Sequence, residues 1–225
     1  MHGAYEMWST AVKEGVKPII GIEAYVTPET ARQDQTRVSW DTNWNPDIDP
    51  QHRRRNPNDV SGGGLITHLT MWAETDEGLV NLMKASTDAN LEGRVMRYPR
   101  MDKEILAKYS KGIIASSGCP SGIIQTRLLL GQFDEALRAA GELQDIFGRD
   151  NFYIEFMDHG LKIEKQVTDG LLDIAKKLNA PLLATNDSHY VRAEDAGSQD
   201  AMLCINSAPR WTSRDDSNSM EPATT

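Results

Sequence analysis

Residues 184–190 read ATNDSHY and place an acid, Asp187, two positions before a histidine, His189. The apolar run 181–183 just before them is typical of a buried strand. Side chains that follow the end of such a strand can point together into a cleft, and carboxylate oxygen with imidazole nitrogen is a ligand set for zinc, manganese or iron. Because a D-x-H pattern is short, a strand followed by a polar turn is the alternative.

Three further residues of ligand type lie on or directly after other strand-like segments: Glu23, His68 and Cys119. Each has an ordinary structural explanation. Glu23 could be a solvent-facing strand residue, His68 a hydrogen-bonded core histidine, and Cys119 a small buried apolar side chain. Because these residues recur at places equivalent to those of Asp187 and His189, the whole set predicts a metal site.

The donor types favour particular metals. A mixed set of oxygen, nitrogen and sulfur fits borderline divalent ions such as zinc or manganese better than magnesium, which prefers shells made only of oxygen. Adjacent divalent ions lower the pKa of a bridging water and hold a phosphodiester in place. The residue types therefore predict hydrolysis, with no protein nucleophile required outside the metal site.

Helical and strand-like segments alternate along the chain. Strand patterns cover residues 17–27, 65–73, 112–117, 152–157 and 181–183, and helical patterns cover residues 4–14, 75–90, 102–109, 121–130, 133–147, 163–178 and 194–206. Short strands that are apolar on both faces, with helices between them, predict the α/β class with parallel strands covered by helices. A distorted (β/α) barrel is the expected architecture, and in such barrels chemistry takes place at the carboxyl ends of the strands.

Composition limits the classes of protein that fit. The 225 residues carry a net charge of −9, which argues against wholesale electrostatic binding to nucleic acid but leaves room for a local basic groove. Two cysteines make no disulfide framework, and the sequence shows neither a membrane-spanning run nor a signal peptide. A cytoplasmic protein without a membrane partner is therefore expected.

The long polar stretch between the first two predicted strands contains the basic triplet Arg53, Arg54 and Arg55. Loops of this length are usually functional or disordered. The triplet could contact DNA phosphates, although a solvated run of charge is the alternative. Trp40 and Trp44 could stack on a base of a single-stranded end, or they could pack the loop onto the body of the domain.

Asp158 and His159 follow the predicted strand 152–157, on the side where a barrel would carry its chemistry. At that place they could orient metal ligands or substrate from a second shell. A helix-capping Asp in an ordinary polar turn is the alternative reading of the same residues.

Four motifs in order along the chain resemble one known family. They are PIIGIEAY at 18–25, THLT at 67–70, GCPSG at 118–122 and ATNDSHY at 184–190. From residue 1 to about residue 207 the chain is similar to the N-terminal polymerase-and-histidinol-phosphatase (PHP) domain of bacterial DNA polymerase III alpha subunits, in particular the actinobacterial replicative type. The resemblance implies a PHP-type distorted (β/α) barrel that holds up to three divalent metal ions.

The resemblance also implies function. In the family type most similar to this chain, the domain is a 3′–5′ exonuclease that removes mispaired primer ends. Its metal ligands carry over onto Glu23, His68, Cys119, Asp187 and His189. The implied partners are the 3′ end of a DNA primer, the rest of the polymerase alpha subunit, and the replisome, including the sliding clamp and other holoenzyme subunits.

The sequence departs from the family pattern at its start. Family members open with an H-x-H strand, an aspartate and a D-H-G turn that supply further ligands, whereas the first six residues here match the segment after that turn. We therefore expect a partial PHP domain over residues 1–207 that lacks its first strand or strands, as from an internal start or a partial gene. Weakened metal binding and nuclease activity should follow. The resemblance also implies that the catalytic aspartates of the polymerase lie far beyond residue 225, so we expect no DNA polymerisation by this chain alone.

Residues 208–225 lose all hydrophobic periodicity. We expect this tail to be either a frameshift-derived reading or a natural disordered end, and the nucleotide sequence would distinguish them.

Two alternatives to an exonuclease also follow from the resemblance. One is a non-catalytic scaffold that supports the polymerase or docks another subunit. The other, a stand-alone phosphatase, is disfavoured by the polymerase-type motifs GCPSG and THLT.

Overall fold

The computed structural model describes residues 3–40, 59 and 64–207. Within this part of the chain the helices are α1 (Ala4–Lys13), α2 (Asp76–Glu92), α3 (Lys103–Tyr109), α4 (Ile123–Leu129), α5 (Phe133–Phe147), α6 (Lys162–Leu178) and α7 (Ala196–Ser207). The strands are β1 (Gly21–Val26), β2 (Thr67–Ala73), β3 (Arg94–Val95), β4 (Tyr98–Met101), β5 (Ile113–Ser116), β6 (Phe152–Phe156) and β7 (Leu182–Ala184). A 3-10 helix, Ala193–Asp195, precedes α7.

The strands form one mixed sheet in the order β3-β4-β1-β2-β5-β6-β7. The expected α/β fold of the PHP type is confirmed, and within the described residues the sheet is open rather than closed. The expectation that all strands are parallel was wrong, because β2 runs antiparallel to both β1 and β5. An apolar pattern reports burial on both faces of a strand and carries no information on its direction.

The starts of α2 and α3 are fixed by side-chain caps. The hydroxyl of Thr75 accepts a hydrogen bond from the Gly78 amide at 3.1 Å and begins α2, as its sequence position predicts. The carboxylate of Asp102 accepts from the Ile105 amide at 3.1 Å and begins α3. These caps satisfy amide groups that would otherwise lack partners in the first turn.

The core lies between the middle of the sheet and helices α2, α3, α5 and α6. Phe152 and Ile154 on β6 are fully buried, and Leu82 on α2 and Ile174 on α6 pack in the same cluster. Burial of apolar surface on this scale makes β5 and β6 a rigid support for the loops that follow them.

The prediction of a buried strand at 181–183 needs correction. β7 is the edge strand of the described sheet, and the Leu182 side chain is 47% exposed. An edge strand has a neighbour on one side only, so apolar residues on it need not be covered. Helix α1 is likewise exposed, with no buried residue.

Segment 27–40 is held against the body of the domain. Arg100 on β4 is completely buried and donates to the carbonyl oxygens of Arg32 at 2.5 Å and Asp34 at 2.7 Å. Trp40 is 2% exposed and lies under the guanidinium of Arg127, 4.7 Å from the ring centre. Trp40 therefore packs the loop onto the domain, which is the second of the two roles that its sequence position suggests.

The remaining loop residues singled out in the sequence fall outside the described part of the chain: Trp44, Arg53, Arg54 and Arg55. The same holds for the tail 208–225. Across residues 3–40, 59 and 64–207, no helix combines the length and the apolar character that a membrane crossing requires.

Candidate metal centre

Strands β1 and β2 bring Glu23 and His68 together. In the antiparallel register Tyr25 pairs with His68 and Glu23 pairs with Thr70, so Glu23 and His68 are diagonal neighbours. Residues in this relationship lie on the same face of the sheet and long side chains can touch. The Nδ1 atom of His68 lies 2.7 Å from Oε1 of Glu23.

The turn after β5 adds a thiol to this pair. Gly118 adopts a left-handed φ of 80°, and a Cβ at this position would lie 2.9 Å from the carbonyl oxygen of His68. Only a glycine allows so close an approach at this φ without strain. As a result, Sγ of Cys119 lies 3.4 Å from Nδ1 of His68 and 3.9 Å from Oε1 of Glu23.

The protonation of this cluster is strongly perturbed. Burial alone would lower the pKa of His68, but hydrogen bonding and Coulombic attraction to Cys119 and Glu23 outweigh it and raise the pKa to about 10. The hydrogen bond from His68 lowers the pKa of Glu23, against the opposing effect of burial. In the metal-free protein at neutral pH, His68 and Glu23 therefore form an ion pair.

The donor atoms fit a divalent metal ion. One ligand atom each from Glu23, His68 and Cys119 forms a compact group. The three separations are 2.7, 3.4 and 3.9 Å, which a single ion with bonds of about 2.0–2.3 Å to each atom can span. Carboxylate, imidazole and thiol donors suit zinc, and a thiol disfavours magnesium. Three protein ligands that leave a coordination position open are typical of a catalytic rather than a structural zinc site.

Asp187 and His189 lie outside this compact group. Asp187 has a left-handed φ of 44°, and both side chains are exposed in the loop after β7. His189 nevertheless lies close enough to Glu23 to lower the pKa of that carboxyl through a Coulombic interaction. Its Nδ1 atom donates to the carbonyl oxygen of Asp187 at 2.7 Å, which leaves Nε2 as the nitrogen available for a ligand.

Asp158 and His159 make local contacts at the start of α6. His159 Nδ1 lies 2.6 Å from a carboxylate oxygen of buried Glu164, and the His159 amide donates to the other oxygen at 2.8 Å. Asp158 accepts a hydrogen bond from the Gly160 amide at 3.3 Å. These contacts favour the polar-turn alternative, and the second-shell role of the two residues stays a prediction.

Sequence reasoning missed one acid, Glu155 on β6, which is 3% exposed. With Cys119 and Glu164 it lines a cavity of about 10 Å³. Its carboxylate accepts hydrogen bonds from the hydroxyls of Ser116 and Thr185. The sequence did contain a signal for Glu155, because this residue is an acid inside the apolar strand FYIEF. An acid in such a strand is rarely buried without a specific partner, so its position indicates that a partner exists.

Comparison with known proteins identifies the family. Residues 1–159 match the PHP domain family, and the chain belongs to it. The most informative relatives are DNA polymerase III alpha subunits. The chain is 49% identical over 205 residues to that of Mycobacterium tuberculosis and 51% identical over 207 residues to that of Saccharopolyspora erythraea. It is also 37% identical over 207 residues to that of Thermus aquaticus.

These alignments cover 91–92% of the present chain but 15–17% of each relative. The chain thus spans about a sixth of the length of the relatives it matches. The resemblance seen in the sequence motifs is confirmed at the level of the PHP domain of this polymerase subunit.

Proposed function

We propose that this chain is the PHP portion of a bacterial replicative DNA polymerase III alpha subunit, and that its metal centre hydrolyses the terminal phosphodiester of a mispaired 3′ end. The observation that carries the proposal is the cluster of Glu23 on β1, His68 on β2 and Cys119 in the turn after β5. The similarity to polymerase alpha subunits supports DNA as the substrate.

In this proposal Glu23 Oε1, His68 Nδ1 and Cys119 Sγ hold one divalent ion, zinc or manganese rather than magnesium. Asp187 and His189 supply further ligands from the loop after β7, in a family whose domains hold up to three ions. A bound ion of this kind lowers the pKa of a water molecule and neutralises charge on a phosphodiester. His68 must give up its Nδ1 proton before it can act as a ligand.

Other residues would contact the substrate or orient it. Arg53, Arg54 and Arg55 would contact phosphates of the primer strand, and Asp158 and His159 would orient substrate or ligands. The partners would be the remainder of the alpha subunit, the sliding clamp and other holoenzyme subunits, in the cytoplasm. Because the described residues gather only Glu23, His68 and Cys119 into one compact group, we expect weaker metal binding and slower hydrolysis than in a PHP domain whose full ligand set is assembled.

The test uses the purified full chain. Zinc and manganese binding are measured by titration, and hydrolysis is followed on 5′-labelled DNA with a mispaired 3′ end and on a simple phosphomonoester. We expect ion binding that Glu23→Gln abolishes, and slow, metal-dependent removal of the 3′ nucleotide without phosphomonoester cleavage. Absence of both ion binding and hydrolysis, or preference for the phosphomonoester, would overturn the proposal.

A scaffold role is the second candidate, and helix α1 supports it. Tyr5, Met7, Trp8 and Val12 on this helix are exposed, an arrangement typical of surfaces that contact another protein. A chain that binds the purified remainder of an alpha subunit but neither holds metal nor cleaves DNA would establish this role in place of the nuclease.

A further inference from the structure

Glu155 is a buried carboxylate that the metal centre does not use. It lies in the apolar strand β6, and its side chain is among the least exposed charged groups described. Within the described residues no Lys, Arg or His forms an ion pair with it. Removing a carboxylate from water without a cation is unfavourable unless hydrogen bonds compensate, so an apolar residue at this position would be the simpler choice for stability.

The two hydrogen-bond donors to Glu155 come from different strands. Ser116 ends β5 on one side, and Thr185 follows β7 on the other. Strand β6 lies between β5 and β7 and runs parallel to both. One carboxylate therefore bridges the carboxyl ends of the two strands that flank it.

Both of these strand ends continue into segments with metal-ligand residues. The chain runs from Ser116 to Cys119 within three residues, and from Thr185 to Asp187 and His189 within two and four residues. Backbone pairing between β6 and β7 continues one residue past β7, since the Thr185 amide donates to the Phe156 carbonyl at 3.2 Å.

A second set of contacts holds the segment between Ser116 and Cys119 in place. The Ser117 hydroxyl accepts from the Glu155 amide at 2.9 Å. Gln125 on α4 donates to the Gly118 carbonyl at 2.7 Å and to the Ser117 hydroxyl at 3.2 Å. Fewer hydrogen bonds of this kind are described for the loop after β7, and its Asp187 adopts a left-handed φ.

We infer that Glu155 is a positioning residue that fixes the Asp187–His189 segment relative to the Cys119 turn, acting through the hydroxyls of Thr185 and Ser116. This inference deepens the proposed function and rests on it for the identity of the ligands. Metal ligands in proteins are commonly oriented by hydrogen-bonded partners in this way, and loss of such a partner typically weakens metal affinity by about 10–100-fold.

The test compares two variants of the full chain with two matched controls. Thr185→Val removes one hydroxyl with little change in shape, and Glu155→Gln weakens the bridge. Thr168→Val makes the same change at a residue that lines the cavity beside Glu155, where the hydroxyl donates to the Glu164 carbonyl of its own helix at 2.8 Å. Asp102→Asn neutralises a second buried acid, which begins α3 by accepting from the Ile105 amide.

The first measurement is the zinc dissociation constant, determined by competition with a chromogenic chelator. We expect it to rise about tenfold or more in Thr185→Val and Glu155→Gln and to stay at the wild-type value in both controls. The second is hydrogen exchange of peptide 185–190 in the metal-free protein, which should be faster in the same two variants. Circular dichroism establishes that each variant is folded.

The inference is overturned if folded Thr185→Val keeps both wild-type zinc affinity and wild-type exchange, whatever Glu155→Gln does, because Glu155 would then not act through Thr185. If Glu155→Gln fails to fold, Thr185→Val alone decides. If the wild-type chain binds neither zinc nor manganese and does not hydrolyse DNA, the proposed function fails. Exchange of 185–190 in the metal-free protein still supports or refutes the positioning role in that case.

Discussion

Nδ1 of His68 and Oε1 of Glu23 lie 2.7 Å apart across the β1–β2 pair, and the same nitrogen lies 3.4 Å from Sγ of Cys119. The nitrogen that faces the acid and the thiol is the one a metal ion would need. With its pKa raised to about 10, the ring holds a proton there at neutral pH. Metal and proton therefore compete for one atom.

Zinc binding should release a proton from His68. At pH 7.5 we expect calorimetric titrations in buffers of different ionisation enthalpy to show at least one proton released per ion bound. Zinc affinity should rise as the pH increases from 7 towards 10, because the competing proton is progressively lost. Binding with no buffer-dependent heat would contradict the ion pair between His68 and Glu23.

The stability of the metal-free protein should fall at high pH. His68 has a folded-state pKa above its ordinary value of 6.5, so its protonated form stabilises the fold fully below about pH 6.5, and this contribution is lost as the pH rises through about 10. Denaturant unfolding at pH 7 and pH 10 should show a smaller loss in His68→Gln than in the wild type. An equal loss in both proteins would show that other groups cause it.

The thiol should discriminate between metals. Cys119→Ser replaces a soft donor with a hard one, so zinc affinity should fall much more than manganese affinity, by roughly tenfold or more for zinc. Cys204→Ser, at a partly exposed position on α7, is the matched control and should change neither. A parallel loss for both metals would mean that Cys119 does not contact the ion.

The close approach at Gly118 should be essential for the site. Gly118→Ala forces a Cβ against the His68 carbonyl oxygen and should displace Cys119, with a loss in zinc affinity of roughly tenfold. Gly131→Ala places the same strain at a φ of 73° with no atom within 4 Å. The control should lose a little stability and keep its zinc affinity, whereas equal zinc affinities in both variants would exclude a steric role for Gly118.

Arg100 should contribute strongly to stability. Arg100→Met leaves the buried carbonyl of Leu65 and the partly buried hydrogen-bond acceptors on Arg32 and Asp34 without their donor, at a cost of about 2–4 kcal/mol in the free energy of unfolding. Arg94→Met, at an exposed position on β3, should change it by less than about 0.5 kcal/mol. Denaturant midpoints at constant m-value give both numbers, and similar values would mean that segment 27–40 adds little stability.

The sequence predicted the elements better than their arrangement. Caps such as Thr75, and the apolar strands, are local signals, and the structure has them within a few residues of the predicted places. Strand direction depends on how distant segments connect, so the reversal of β2 was not predicted. The short strands β3 and β4 were missed because Pro99 and their polar residues carry no strand pattern.

For the candidate site, too, the sequence predicted the residues but not how they come together. Residue types and strand positions predicted Glu23, His68 and Cys119, and the fold brings them together. Their contact depends on the antiparallel register of β1 and β2 and on the turn at Gly118, neither of which the residue pattern determines. Glu155 was missed because its partners, Ser116 and Thr185, come from strands 69 residues apart in the sequence.

The reversal of β2 decides where the chain enters and leaves the metal centre. Because β2 runs antiparallel to both neighbours, its first residues lie beside the carboxyl ends of β1 and β5. The connection between Val26 and Thr67 therefore starts and finishes beside the ligands, however long it is. Changes in the length or charge of that connection would therefore alter the surroundings of the ligands while the strand pairing that holds Glu23 and His68 stays the same.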